Sequence, residues 1–179
     1  MLAQPLQTAN LVLKTLEPES LTGDYANWLN DPRVSQFLEI RFAPPQTEES
    51  VRSYVRDMNA SSDNVLFGMF LAGTTRHIGN IKLGPIDAHH CRADIGLLIG
   101  DPQQWGKGFA SEAIAAVTEF AFRELKLNKV AAGCYGQNEG SRRAFLRADF
   151  TEVARRARHW RCGEQWVDDV MLERLNPTP

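Results

Sequence analysis

Apolar and polar residues alternate from Asn10 to Leu16 (NLVLKTL), the period of a half-buried strand. The period then changes. Leu21, Tyr25, Trp28 and Leu29 fall on one helical face, and Asp31-Pro32 ends that segment. Phe42 to Gln46 (FAPPQ) reads as a loop. Thr47 opens a helix in which Val51, Tyr54, Val55 and Met58 recur at helical spacing. A turn at Ser61 to Asn64 leads to a buried strand, Val65 to Ala72 (VLFGMFLA). Gly73-Thr74-Thr75 turns the chain into a hairpin partner, His77 to Leu83 (HIGNIKL). Arg92 to Ile99 (RADIGLLI) is the next strand. After it comes a long helix with Ala110, Ala113, Ile114, Val117, Ala121 and Leu125 on one face. Lys129 to Tyr135 (KVAAGCY) is a strand and Ser141 to Ala148 a short helix. Two late strands, Glu152 to Trp160 and Gln165 to Leu172, flank a turn at Arg161-Cys162-Gly163-Glu164.

This order, strand, two helices, strand meander, long helix, strand, helix and terminal hairpin, predicts a mixed α/β (α+β) layout around one central sheet. No repeat or low-complexity stretch interrupts it, so residues 1–179 read as a single domain. It is not the strict strand–helix alternation of a doubly wound dinucleotide fold.

Composition narrows the function. The chain has 179 residues, 43% of them hydrophobic and 23% charged, as in ordinary globular proteins. Net charge is −2 and the pI is near 6.1, which argues against nucleic-acid or anionic-membrane binding through bulk charge. No apolar run approaches the roughly 20 residues that span a bilayer. The N-terminal MLAQPLQTAN lacks the basic-then-apolar layout of a signal peptide. Cys91, Cys134 and Cys162 are too few and too scattered for a disulfide framework or a zinc site, which points to a reducing cytoplasm.

The stretch QQWGKGFASEA, Gln103 to Ala113, joins a strand to the long helix. It fails as a Walker loop, because five residues separate Gly100 from Gly106 where four are needed, and Gly108 follows Lys107 where Ser or Thr is needed. It fails as G-x-G-x-x-G, because the third glycine position is Ser111. What it does contain is Gln-x-x-Gly-x-Gly: Gln103, Gly106 and Gly108. Amides at a helix start, with the positive end of its dipole, suit a pyrophosphate. Gly106 and Gly108 let backbone curl around that group, and Lys107 adds charge. The same residues also suit a plain tight strand-to-helix connection.

This stretch resembles the acetyl-CoA-binding motif of the GNAT acyltransferases, and within them the branch of the ribosomal-protein N-acetyltransferases RimJ and RimL. The resemblance covers nearly the whole chain. NLVLKTLEPES resembles the opening strand and YANWLNDPRVSQFLE the first helical region. HIGNIKLGPI and ADIGLLIGDPQQWGKGFASEA resemble the central sheet and cofactor turn. NEGSRRAFLRADF resembles the second cofactor motif and WRCGEQWVDDVMLERL the terminal hairpin. It implies a mostly antiparallel mixed sheet, splayed at the cofactor site and flanked by helices. It implies acetyl-CoA as co-substrate, with pantetheine on the backbone of Leu97, Leu98 and Ile99. The pyrophosphate is implied on the amides from Gln104 through Trp105, Gly106, Lys107, Gly108 and Phe109 to Ala110. Related proteins are often dimers, which implies a homodimer.

The implied reaction is attack of a neutral amine on a thioester. It needs a deprotonated amine, a polarised carbonyl and a proton for the leaving thiolate. Many family members carry Asn followed seven residues later by a proton-donating Tyr; from Asn138 that position is Phe145, which cannot donate. The RimJ/RimL-like branch has a serine three residues after the Asn, here Ser141. Ser141 is therefore the candidate acid, although Asn138 and Ser141 also suit a helix cap and first turn. Asp94 opens the strand implied to pair with pantetheine. It is the candidate base, acting through water, or else an exposed strand end. His159, in the terminal hairpin, ranks below it. His89, His90 and Cys91 invite a metal, but adjacent residues on an extended segment point to opposite faces, so none is expected.

Arg142, Arg143 and Arg147 either meet the adenosine phosphates, Arg143 first among them, or form a solvated helix face. Arg155, Arg156, Arg158 and Arg161 form a basic patch that either guides an acidic substrate or is wet surface. Trp28, Trp160 and Trp166 line a substrate cleft or pack in the core. Ala148-Asp149-Phe150 stands where the family has Gly-Phe; Asp tolerates the left-handed helix end well enough for the turn to survive. The acceptor, a small-molecule or peptide primary amine, is left open, since specificity lies in residues 36–50, 85–92 and the terminal hairpin. Two other functions stay in view: a catalytically idle acyl-CoA-binding sensor, and an acyltransferase with a longer donor.

Overall fold

The computed structural model describes residues 4–178, so the reading of the extreme N-terminus falls partly on residues outside the described range. Leu6–Gln7 (β1) and Leu11–Lys14 (β2) come first, followed by helices Asp24–Asn30 (α1), Pro32–Ser35 (α2) and Glu48–Ala60 (α3). Val65–Leu71 (β3), His77–Leu83 (β4) and Arg92–Ile99 (β5) form the meander. Phe109–Arg123 (α4), Lys129–Tyr135 (β6), Glu139–Arg147 (α5), Thr151–Cys162 (β7) and Gln165–Leu175 (β8) complete the chain. Three short 3₁₀ turns, Pro18–Ser20, Glu39–Phe42 and Pro102–Gln104, lie between them.

The strands form one eight-stranded sheet in the order β1-β2-β3-β4-β5-β6-β8-β7. Every neighbouring pair is antiparallel except β5 with β6. The expected mixed, mostly antiparallel sheet is therefore present. Successive strand residues point to opposite faces, and β3 shows the division. Phe67 and Met69 enter the larger core with Ile81, Ile114, Val117 and Phe145. Leu66 enters a smaller one with Leu16, Tyr25, Val51 and Val55. α4 covers the first face and α1 with α3 the second.

Several predicted ends move, each for a local reason. Asp31-Pro32 ends α1 at Asn30 as expected, and also opens a second short helix: Asp31 Oδ1 accepts the Arg33 N–H at 2.9 Å and Pro32 fills the first position of α2. The helix opened by Thr47 has a reciprocal cap with Ser50. α4 stops at Arg123, and Leu125 packs against the core from beyond its end. α5 starts two residues before Ser141, because Asn138 Oδ1 accepts the Ser141 N–H at 3.1 Å. Asp149 holds φ 64° and Phe150 N–H reaches the Phe145 carbonyl at 3.1 Å, so the turn at Ala148-Asp149-Phe150 survives its missing glycine. The terminal hairpin is longer than the pattern predicts, and a bulge between Arg156 and Trp160 interrupts it.

His77 lies in a half-buried aromatic cluster. Its ring stacks on Phe70 (4.9 Å, 21°) and meets Trp28 edge-on at 5.0 Å. Nε2 sits 2.9 Å from both the Gly79 carbonyl and Asn80 Oδ1. Burial lowers its pKa below the usual value; Asn80, Gly79 and the Asp24 charge oppose that, and Lys14 reinforces it. The folded chain thus resists a proton that the unfolded chain accepts near pH 6.5. Stability is fully present above that pH and is lost as pH falls toward the folded value. In urea titrations, His77→Gln is expected to flatten this loss between pH 7.5 and 5.

Candidate active site

The site begins where β5 leaves β6. The two strands pair only at Arg92–Asp94 with Lys129–Ala131. Beyond Asp94 they diverge, while β5 stays bonded to β4 as far as Ile99. The backbone edge of Leu97, Leu98 and Ile99 away from β4 therefore faces a cleft instead of a strand, the geometry by which an extended ligand adds to a sheet edge. Trp105 roofs this edge and donates its indole N–H to the Ile99 carbonyl at 2.8 Å.

The turn after β5 presents a helix start. Asp101 organises it, accepting from the Gln103 N–H at 2.9 Å and from Gln104 Nε2 at 3.3 Å. Gly106 and Gly108 hold φ 75° and 87°, which an L side chain rarely adopts. A Cβ on either would meet nothing within 4 Å, so the backbone angle, not crowding, requires glycine here. Gly108 is the N-cap of α4 and offers no side-chain acceptor, whereas Asp31, Thr47 and Asn138 cap α2, α3 and α5. The first amides of a fifteen-residue helix are thus left without a side-chain cap, as a diphosphate site needs.

Two adjoining cavities fill the cleft. One, of about 400 Å³, lies under Leu97, Leu98, Ile99, Trp105 and Ala110. The other, of about 360 Å³, lies toward Gly133, Tyr135, Trp160 and Asp169. Phe37, Leu38, Leu97, Asn138 and Ser141 line both. Ser141 therefore stands at their junction. Burial pushes the nearby Cys134 thiol up to about 11; Asp169 and Glu152 add to that, and the Ser141 hydroxyl acts the other way. Phe145 is 1% exposed and edge-packed on Phe150, so its position is a core position.

The second cavity carries paired charges. Asp169, 1% exposed, accepts from Arg156 Nε at 2.8 Å and Nη2 at 2.5 Å, and from Trp160 Nε1 at 3.1 Å. The Tyr135 hydroxyl donates to Glu39 Oε1 and accepts from Arg41 Nη2 at 2.9 Å. Phe37, Tyr135 and Trp160 form a run of tilted rings, 6.2 and 5.4 Å between centroids.

Not every residue singled out in the sequence is brought to the cleft. Asp94 is exposed and lines a separate depression with Pro85, Asp87 and Arg92, not the cavities of Ser141. The loop 85–92 lies with it. Arg143 pairs with Glu139 at 2.9 Å and Arg142 with Glu152 at 2.7 Å. Lys107 Nζ bonds Gln104 Oε1 at 2.9 Å and braces the turn. Trp160 lines the cleft, Trp28 lines a different cavity, and Trp166 is exposed. His159 is exposed and edge-on to Trp160. His89 and His90 are exposed, and among the described residues no cluster of three or more His, Cys, Asp or Glu could hold a metal. Glu39, Arg41, Tyr135 and Asp169 escaped the sequence reading, because contacts between Glu39 and Tyr135 span 96 positions and leave no local spacing.

Comparison with known proteins agrees with this geometry. Residues 10–151 match the family model for the acetyltransferase (GNAT) domain. The chain is 32% identical over 146 residues to the probable N-acetyltransferase YjcK of Bacillus subtilis strain 168, covering 79% of this chain and 80% of that one. In fold it is similar to the spermidine N-acetyltransferase of Vibrio cholerae (TM-score 0.78, 20% identity, 94% and 96% of the two chains). It is also similar to RimL, a ribosomal L7/L12 alpha-N-protein acetyltransferase (TM-score 0.81, 16% identity, 96% and 98%). At those identities the two structures speak for the fold. The family match and the curated relative settle the rest: the chain belongs to the GNAT family and is an N-acetyltransferase.

Proposed function

We propose that this cleft moves the acetyl group of acetyl-CoA to a primary amine by direct attack on the thioester, as in the RimJ/RimL-like branch. The observation that carries this is the place of Ser141, at the junction of a cavity along the open edge of β5 and a cavity walled by aromatic and charged side chains. The chain's residues suit coenzyme A. The uncapped start of α4 and the left-handed turn at Gly106 and Gly108 offer converging amides to a diphosphate. The β5 edge offers backbone partners to the pantetheine amides. The Vibrio spermidine acetyltransferase structure holds coenzyme A and spermine, and the RimL structure holds coenzyme A, which supports the same donor here.

Bound acetyl-CoA would supply an activated carbonyl. Ser141 gives its hydroxyl proton to the departing sulfur. Phe145 has no hydroxyl to compete for that role, and the Tyr135 hydroxyl is engaged with Glu39. No observation favours a catalytically idle module. The acceptor class is a primary amine: a peptide N-terminus, an amino sugar, a polyamine or another small amine.

The test is thiol release from acetyl-CoA against short peptides, amino sugars and polyamines, beside calorimetry of coenzyme A binding. Turnover on one amine class supports the proposal. Absence of coenzyme A binding overturns it. A related prediction concerns the turn. Gly108→Val leaves room for its side chain but costs about 1–2 kcal/mol to hold the left-handed angle. The turn relaxes, and coenzyme A is expected to bind about tenfold more weakly by calorimetry, with the fold retained.

A further inference from the structure

We infer that Glu39 takes the proton from the acceptor ammonium, with Tyr135 and Arg41 holding its carboxylate in place. The inference rests on the acetyl-transfer reading above. An ordinary primary amine arrives protonated at neutral pH and has no lone pair to attack with. A base must therefore face the second cavity, and the carboxylates that line it are Glu39 and Asp169.

Asp169 is unsuited. Its side chain is 2% exposed, Oδ2 accepts two N–H groups from Arg156, and Oδ1 accepts the Trp160 indole. A carboxylate so held has both oxygens taken and has little room for a substrate. Asp94, the carboxylate that the sequence favours, lines a different depression.

Glu39 has the opposite character. It sits exposed on the 3₁₀ turn Glu39–Phe42, at the wall of the cavity that Ser141 also lines. Oε1 accepts the Tyr135 hydroxyl, and among the described residues no side chain bonds Oε2. Tyr135 is itself fixed: Arg41 Nη2 donates to its oxygen, and the Arg41 guanidinium lies 4.7 Å above its ring. Burial, then the hydrogen bond to Glu39 and the Glu39 charge, push the Tyr135 phenol up to about 12 against the opposing Arg41, so it remains a donor to Glu39 and not a second base. The rings of Phe37, Tyr135 and Trp160 give an ammonium π faces to approach along. The titratable and charged groups around the cavity that Glu39 lines are Arg41 on its own turn, Cys134 and Tyr135 on β6, and Cys162, Arg156 and Asp169 on the hairpin.

The step balances. Glu39 Oε2 takes one N–H proton and leaves the nitrogen its lone pair, which forms the C–N bond at the carbonyl carbon. As the C–S bond breaks, its electron pair goes to sulfur. Ser141 Oγ gives its proton to that sulfur and recovers one from the new amide nitrogen. The proton on Glu39 passes to water. One ammonium and one thioester give an amide, a thiol and a proton.

The experiment compares pH profiles of kcat/KM for the wild type, Glu39→Gln, Glu39→Ala and Tyr135→Phe, on the amine found by thiol release. Coenzyme A affinity and melting temperature are measured alongside. The wild-type profile is expected to be level between about pH 6 and 8, since Glu39 deprotonates the ammonium itself. Glu39→Gln should lose about 100-fold or more at pH 7 and then rise about tenfold per pH unit, because only free amine reacts. Coenzyme A affinity should be unchanged. Glu39→Ala should show the same slope, independently of any strain the amide introduces. Tyr135→Phe should lose less and keep a level profile, as a positioning residue does. A Glu39→Gln enzyme within threefold of wild type at pH 7, or one lowered by the same factor at every pH, overturns the inference and leaves acetyl transfer standing. A slope in Tyr135→Phe with a level Glu39→Gln profile also overturns it. A wild type that binds coenzyme A but acetylates no amine overturns the acetyl-transfer reading and this one with it.

Discussion

Ser141→Ala is expected to lower kcat/KM for acetyl transfer by about 10²–10³-fold, the range of a lost general acid, and to leave coenzyme A binding intact. The substitution isolates the hydroxyl. The contact that caps α5 runs from the Ser141 backbone N–H to Asn138 Oδ1, and alanine keeps that N–H. The melting temperature should therefore stay near that of the wild type. Asn138→Ala is the useful contrast: it removes the cap and leaves the hydroxyl, so it should cost about 1 kcal/mol of stability. Thiol release and calorimetry on the two variants separate chemistry from cap. Full activity in Ser141→Ala would remove the serine from the mechanism.

Arg156→Met is expected to destabilise the fold by about 3 kcal/mol, far more than Asp169→Asn. The two partners differ in what they leave behind. Without Arg156, a carboxylate with a 2% exposed side chain keeps only the Trp160 N–H. Without the Asp169 charge, the guanidinium of a side chain that is 48% exposed turns to water, at a cost near that of a surface pair, about 0–1 kcal/mol. Urea titration of both variants measures the asymmetry. Equal losses in the two variants would show that the pair acts by shape alone.

The sequence carries the elements better than the encounters between them. VLFGMFLA and HIGNIKL pair as the alternation and intervening turn predict, and the helix after Gly108 runs where its apolar face begins. Such signals lie within one stretch of chain. The strand KVAAGCY is equally legible, yet nothing in it shows that Tyr135 meets a carboxylate 96 positions earlier. Asp94 shows the reverse. Its strand does border the cleft, but at about 3.3 Å per residue Leu97 lies roughly 10 Å farther along, past the last pairing with β6. The bulge between Arg156 and Trp160 breaks the alternation of β7, which a simple period cannot anticipate.

The three residue pairs that join β5 to β6 have a mechanical consequence. They act as a hinge pin between two plates, β1 to β5 on one side and β6 to β8 on the other. Ile99 lies five residues past the pin, roughly 16 Å at strand spacing. One degree of opening at the pin would move it by about 0.3 Å, and two degrees would exceed the roughly 0.5 Å tolerance that a reacting constellation allows. α4 packs against β4, β5 and β6 and so spans the pin. The helix whose first amides lack a side-chain cap is thus also the strut that fixes the angle of the jaws.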